Sequence, residues 1–156
     1  ALTCWQPSAG CERQFLARLV WLGGKQGLRL EGVGADTWQT LVEAGLVHGL
    51  LDWTQLTPQQ LASAPGLGTR RASLLARSFA TARTQPFARW LQALGVPPKV
   101  AKSLTNWSSA SARRASDWRA LDGIGASRAE QLVEFFSCPE LRAQTARLHD
   151  AGVQGF

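Results

Sequence analysis

Apolar residues recur along this chain three and four positions apart, the spacing that places side chains on one face of a helix. Two clear examples are Phe15, Leu16, Leu19, Val20 and Leu132, Val133, Phe135, Phe136. No stretch of strand length alternates Val, Ile or Thr with polar residues, as a half-buried strand would. The pattern therefore predicts an all-α fold.

Gly, Pro and capping residues mark where these helices begin and end. Thr57-Pro58-Gln59-Gln60 has the form of a capping box with Pro at the first helical position. Gly and Pro divide the chain into segments of roughly 8 to 15 residues, a length typical of short helices in compact bundles. We therefore predict a bundle of short helices.

The apolar pattern also contains an internal repeat. Gly-apolar-Gly occurs at 32–34, 66–68 and 123–125, and in each case a Leu follows nine residues after the first Gly: Leu41, Leu75 and Leu132. The same frame fits Gly95, with Leu104 nine residues later, although Pro97 replaces the second Gly. The chain therefore contains four units, whose first glycines are 34, 29 and 28 residues apart.

Each unit has the elements of a phosphate-binding turn. The first Gly permits the positive φ that ends a helix, and the second lets the backbone approach a ligand closely. The helix that follows begins with N–H groups that have no intrahelical partner, and it carries a partial positive charge there. Such a turn can hold a phosphate without reading a base.

Composition agrees with a globular domain and narrows its partner. Of the 156 residues, 45% are hydrophobic, too many for a disordered chain. No apolar run approaches the ~20 residues of a membrane span, and no secretory signal opens the chain. Because the chain lacks Met and begins at Ala1, we expect it to be a piece of a longer protein.

The net charge of +6 is concentrated in the middle of the chain. Residues 69–114 contain nine Lys and Arg residues and no Asp or Glu, which indicates a polyanionic partner such as nucleic acid. Two alternatives are a solvated basic face and the Arg bias of a GC-rich genome, since 14 of the 17 cations are Arg.

Several cations of the chain directly follow the repeated turns. They are Arg70 and Arg71 after the second turn, Lys99 and Lys102 after the third, and Arg128, beside Ser127, after the fourth. A cation in the first turn of a helix is unfavourable against the helix dipole unless an anion lies between them. The first turn has Asp36 instead, so we predict that unit one is mainly structural.

The seven tryptophans raise the possibility of base stacking. However, Trp38, Trp90 and Trp118 fall on apolar positions of the repeat, and we predict that these three belong to the core.

The repeated turns resemble the helix-hairpin-helix (HhH) motif, apolar-Pro-Gly-apolar-Gly followed by a helix with Ala and Leu. Ala64-Pro65-Gly66-Leu67-Gly68 and Leu121-Asp122-Gly123-Ile124-Gly125 carry the resemblance. It implies sequence-independent binding of duplex DNA across the minor groove, through backbone phosphates. The candidate DNA-binding residues are Gly32, Gly34, Gly66, Leu67, Gly68, Thr69, Arg70, Arg71, Gly95, Lys99, Lys102, Gly123, Ile124, Gly125, Ser127 and Arg128.

Four such motifs after a cysteine pair resemble the C-terminal part of bacterial NAD-dependent DNA ligases, and in particular the B-type ligases of gamma-proteobacteria. The segments that carry this resemblance are Cys4 with 11–15, 31–34, 41–47, 87–95, 134–137 and 148–153. The family has a four-cysteine zinc finger, of which Cys4 and Cys11 would form one incomplete pair. We therefore expect a remnant zinc-finger-like segment and entry helix over 1–22 and a tandem HhH domain over 23–156, with hairpins near 32–34, 66–68, 95–99 and 123–125.

The resemblance also implies a parent enzyme that uses NAD and magnesium to seal nicked duplex DNA. Its nucleotidyltransferase and OB domains would be the other partners, in a monomer in the bacterial cytoplasm, at the nucleoid and away from membranes. The family's nucleophilic lysine lies in Lys-x-Asp-Gly, and none of Lys25, Lys99 and Lys102 stands in that string. We therefore predict that this segment is non-catalytic and binds no cofactor of its own.

Two other functions remain open. The chain could be a tandem HhH module of another repair or recombination protein, which the sequence upstream would distinguish. It could also be a helical protein–protein scaffold with an acidic partner, which a salt-dependent affinity for random duplex DNA would oppose.

Overall fold

A computed structural model describes residues 12–156, and all the regular structure within that range is helical. The predicted all-α fold is therefore confirmed for these residues. A 3-10 helix spans Asp52–Gln55. The α-helices are α1 Glu12–Gly23, α2 Ala35–Glu43, α3 Pro58–Ala62, α4 Thr69–Arg83, α5 Phe87–Ala93, α6 Pro98–Lys102, α7 Trp107–Ser111, α8 Ala115–Arg119, α9 Ala126–Ser137 and α10 Pro139–Asp150.

Helix boundaries follow the predicted signals, but several helices are shorter than predicted. The capping box is confirmed: the N–H of Gln60 donates to Thr57 Oγ1 (3.1 Å), and the N–H of Thr57 donates to Gln60 Oε1 (2.9 Å). The predicted range of 8 to 15 residues is wrong for α3, α6, α7 and α8, which have five residues each. A new turn follows the start of each of these helices almost at once.

The repeated turns have the predicted backbone. The first glycine of every unit has a positive φ: 75° at Gly32, 83° at Gly66, 109° at Gly95 and 81° at Gly123. A helix ends two to four residues before the first glycine in units two, three and four (α3, α5 and α8). Unit one differs, because residues 24–31 form a loop between α1 and Gly32.

Two clusters of buried side chains form the core. The first contains side chains from each helix between α1 and α5 and from α10. The second contains side chains from each helix between α5 and α9. Trp53 lies at the centre of the first cluster, with ring centroids 5.7 Å from Trp38, 4.9 Å from Phe79 and 5.9 Å from Trp90. Trp38, Trp90 and Trp118 are fully buried, as predicted.

The last helix packs back against the first core. Leu141 and Leu148 of α10 belong to that core, and the buried Gln144 accepts a hydrogen bond from the N–H of Leu51 (3.1 Å). Arg147 forms an ion pair with Asp52 (2.7 Å). These contacts join parts of the chain more than ninety residues apart.

Arg18 is a buried cation that connects α1 with the third unit. Its Nη2 donates to the carbonyl of Leu94, at the C-terminal end of α5. Burial lowers the pKa of Arg18 to about 10, so the guanidinium is still charged at neutral pH. A cation at this position also interacts favourably with the dipole of α5.

Candidate nucleic-acid interface

The N-terminus of α4 is open for a ligand. Gly68 is its N-cap, with φ −77° and ψ 167°, and its carbonyl accepts the first helical hydrogen bond, from Ala72 (2.9 Å). The N–H groups of Thr69, Arg70 and Arg71 come next, and no acceptor among residues 12–156 receives them. Because Gly68 has no side chain to cap the helix, three donors and the positive end of a fifteen-residue helix face outward.

The N-terminus of α9 repeats this arrangement. Its N-cap is Gly125, with φ −85° and ψ −179°, and the carbonyl of Gly125 accepts from Ala129 (3.0 Å). Within the described part of the chain, the N–H groups of Ala126, Ser127 and Arg128 have no acceptor. The side chains of Ser127 and Arg128 are exposed.

The central apolar residues of the turns point inward. Leu67 is buried in the first core, and Ile124 packs against the second. Leu67 therefore offers a ligand only its backbone, whereas the side chain of Ile124 is partly exposed. Both side chains pack the turns against the core.

Units one and two lie side by side at their helix starts. Arg71, the third residue of α4, donates from Nη2 to Oγ1 of Thr37, the third residue of α2 (2.9 Å). The side chain of Arg71 is thus used to join the two units, which its position in the sequence does not reveal. Asp36 lies next to this contact at the second position of α2.

The third turn offers fewer donors than the others. Pro97 is the N-cap of α6 and Pro98 is its first residue, and neither has a backbone N–H. Gly95 packs close to Arg18, since a Cβ at Gly95 would lie 3.3 Å from Arg18 Nη2. Lys99 is the second residue of the helix, whereas Lys102 is its last residue and does not stand in the first turn as the sequence suggested.

The second glycines have no role in the packing of the chain. Gly34, Gly68 and Gly125 have backbone angles that any residue adopts, and a Cβ on any of them would meet nothing within 4 Å. Neither backbone strain nor an internal contact therefore requires Gly at these three positions. The open space that they leave lies directly beside the outward-facing N–H groups.

The cations of residues 69–114 divide into two groups. Arg71, Arg83 and Arg89 donate hydrogen bonds to other parts of the chain, and Arg113 stacks over the Trp118 ring at 4.9 Å. In the described residues no ion pair or side-chain hydrogen bond is formed by the following cations: Arg70, Arg77, Lys99, Lys102, Arg114 and, beyond that segment, Arg128. Arg77 and Arg114 are not among the candidate DNA-binding residues, although both lie in the segment that has no Asp or Glu.

The candidate metal ligands Cys4 and Cys11 lie outside the described residues. Residues 12–156 hold no group of three or more His, Cys, Asp or Glu side chains placed to share a metal ion. None of the helices in that range is long and apolar enough to span a bilayer.

The chain is similar to known proteins over nearly its whole length. No protein-family model matches it. It is 49% identical over 155 residues to DNA ligase B of Pseudomonas putida (strain W619), and 49% identical over 157 residues to DNA ligase B of Pseudomonas fluorescens (strain Pf0-1). These alignments cover 99% and 100% of the chain but only 27% and 28% of the relatives. The resemblance to B-type bacterial DNA ligases is thus confirmed, and the chain corresponds over nearly its whole length to a segment of the DNA ligase B proteins.

Proposed function

We propose that this chain is the DNA-binding segment of a ligase, built from four HhH units, and that it binds nicked duplex DNA without reading its sequence. The observation that carries the proposal is the open space at Gly68 and Gly125, next to N–H groups that have no acceptor among the described residues. A phosphate in each space would accept those N–H groups. The same phosphate would neutralise the neighbouring side chain, Arg70 in unit two or Arg128 in unit four.

Units two and four carry most of the binding in this proposal. Unit one contributes Gly32 and Gly34 but carries Asp36 in the first turn of α2, where its charge would repel a phosphate. Unit three lacks two N–H donors because of its prolines. Unit one therefore serves mainly to support unit two, through the hydrogen bond of Arg71 to Thr37. Lys99 and Lys102 add longer-range attraction from unit three.

The proposal assigns the sealing chemistry to the rest of the parent ligase. NAD and magnesium would act at its nucleotidyltransferase domain, and the present segment, with the OB domain, would hold the duplex. A remnant zinc-finger-like segment at Cys4 and Cys11 is part of the same proposal, as is a monomer at the nucleoid. The similarity to DNA ligase B over the whole chain favours this parent over another repair or recombination protein.

Charge reversal tests the phosphate contacts. The double variant Arg70→Glu with Arg128→Glu is expected to bind duplex DNA more weakly, by the same factor for unrelated sequences, because phosphates carry no sequence information. The negative slope of log K against log salt should become less steep, by about 0.9 for each phosphate that the variant no longer neutralises. Fluorescence anisotropy with nicked duplexes at several salt concentrations measures both quantities.

A matched control separates specific contacts from net charge. Arg142 is exposed in α10 and follows none of the repeated turns, so Arg142→Glu makes the charge change of one of the two reversals at another place. Its affinity should stay within about twofold of the wild type, since a distant exposed charge is largely screened at 0.15 M salt. The proposal would be contradicted if the double variant bound duplex DNA as tightly as the wild type does. It would also be contradicted if reversing two cations elsewhere on the surface lowered the affinity by as much.

A further inference from the structure

A cleft of about 480 Å³ lies between the C-terminal end of α1, the loop that follows it and the turn before α6. Trp21, Lys25, Arg29, Arg89 and Pro97 are among its lining residues, and no Asp or Glu is among them. The volume falls within the range of small-molecule sites in proteins. The cleft shares no lining residue with the starts of α4 and α9.

Trp21 differs from the other tryptophans near it in the fold. Trp38, Trp53 and Trp90 are fully buried, whereas Trp21 is 43% exposed. A single exposed apolar side chain is ordinary on a protein surface. Here, however, the exposed indole stands in a cleft whose charged side chains are all cations, and that combination requires a different explanation.

Two of the cations that line the cleft, Arg29 and Arg89, contact backbone carbonyls of the loop after α1. Among the residues other than Gly in 12–156, Arg29 alone has a positive φ (54°). This conformation costs an L-residue roughly 1 kcal/mol. Its Nε donates to the carbonyl of Lys25 (3.1 Å), and Nη1 of Arg89 lies 3.4 Å from the carbonyl of Gly27. Each of these two bonds uses only one of the five N–H groups of a guanidinium.

We propose that this cleft binds unpaired nucleotides of a DNA single strand. A base would stack on the Trp21 indole, and the flanking phosphates would lie against Lys25, Arg29 and Arg89. An aromatic platform beside a positive groove is the combination that binds single strands without sequence preference. An acidic peptide would use the cations but would gain little from the indole face. The site is distinct from the duplex contacts of units two and four.

A short oligodeoxythymidine tests this site without a duplex. In anisotropy measurements with the whole chain and an oligonucleotide of about eight residues, within the usual range of single-strand site sizes, Trp21→Ala should weaken binding between about fivefold and a hundredfold. Trp21→Phe should recover part of the loss, since it keeps an aromatic face. Lys25→Glu, at an exposed position, should weaken binding without removing the indole.

Matched controls separate this proposal from the duplex proposal. Leu74 in α4 is 53% exposed and lies outside the cleft, so Leu74→Ala should bind the oligonucleotide as the wild type does. Trp21→Ala should keep its duplex affinity, and the Arg70→Glu, Arg128→Glu variant should show the opposite pattern. Thermal melting of each variant establishes that it is folded.

Several outcomes would overturn the single-strand site. One is oligonucleotide binding that is unaffected by both Trp21→Ala and Lys25→Glu. Another is the absence of any oligonucleotide binding by the wild type at low salt. A third is binding of poly-L-glutamate as strong as that of the oligonucleotide and insensitive to Trp21, which would indicate an acidic polypeptide as the partner.

Discussion

Replacing both Gly68 and Gly125 by Asp is expected to remove most of the duplex affinity while leaving the fold at least as stable. Asp is a preferred N-cap, because its carboxylate accepts the free N–H groups of the first turn. The same carboxylate would occupy the proposed phosphate position and repel the DNA. Like charges in contact cost several kcal/mol, so we expect a loss of roughly a hundredfold or more. Anisotropy with a nicked duplex and thermal melting measure the two effects.

Gly34 provides the matched control for this experiment. It is also an N-cap with an open Cβ position, so Gly34→Asp makes the same chemical change at the start of α2. Because Asp36 already stands in that first turn, we expect less than about a threefold loss, the size of a screened surface charge effect. An equal loss from Gly34→Asp and from Gly68→Asp would mean that the overall charge, and not a phosphate position, determines binding.

Replacing Trp53 by Ala is expected to destabilise the protein by about 3–5 kcal/mol, the usual cost of removing a buried large aromatic side chain. Trp53 is fully buried, and its ring packs against Trp38, Phe79 and Trp90. Its Nε1 also donates to the carbonyl of Leu50 (2.7 Å). The variant therefore leaves a cavity between α2, α4 and α5 and a carbonyl without its donor. Chemical denaturation followed by circular dichroism measures the loss.

Trp21→Ala is the comparison for that measurement. Because Trp21 is 43% exposed, its removal should cost less stability than the removal of the fully buried Trp53. Trp53→Phe should lie between the two, since it keeps an aromatic ring but loses the donor to Leu50. Similar stability losses at positions 21 and 53 would contradict the assignment of Trp53 to the centre of the core.

The local features of this protein could be predicted from its sequence. The helices, the capping box at Thr57, the positive φ of the four first glycines and the burial of Trp38, Trp90 and Trp118 all depend on short-range sterics, capping and periodicity. The lengths of α3, α6, α7 and α8 were predicted less well, because the end of a helix depends also on packing. The second glycines could be predicted as N-caps, but the open space around them could not.

Other features depend on contacts between residues that are far apart in the chain. Arg70 and Arg71 look equivalent in sequence, yet only Arg71 reaches Thr37 and joins the starts of α2 and α4. Nothing in the spacing of α10 indicates that Gln144 binds the backbone at Leu51.

The sequence by itself therefore determined the helices, the repeated turns and the positive charge. The tertiary structure alone decided which of the cations are unpartnered and which of the tryptophans stands in a basic cleft. The physical reason is that periodicity and capping act over a few residues, whereas hydrogen bonding and burial depend on which distant segments the fold brings together.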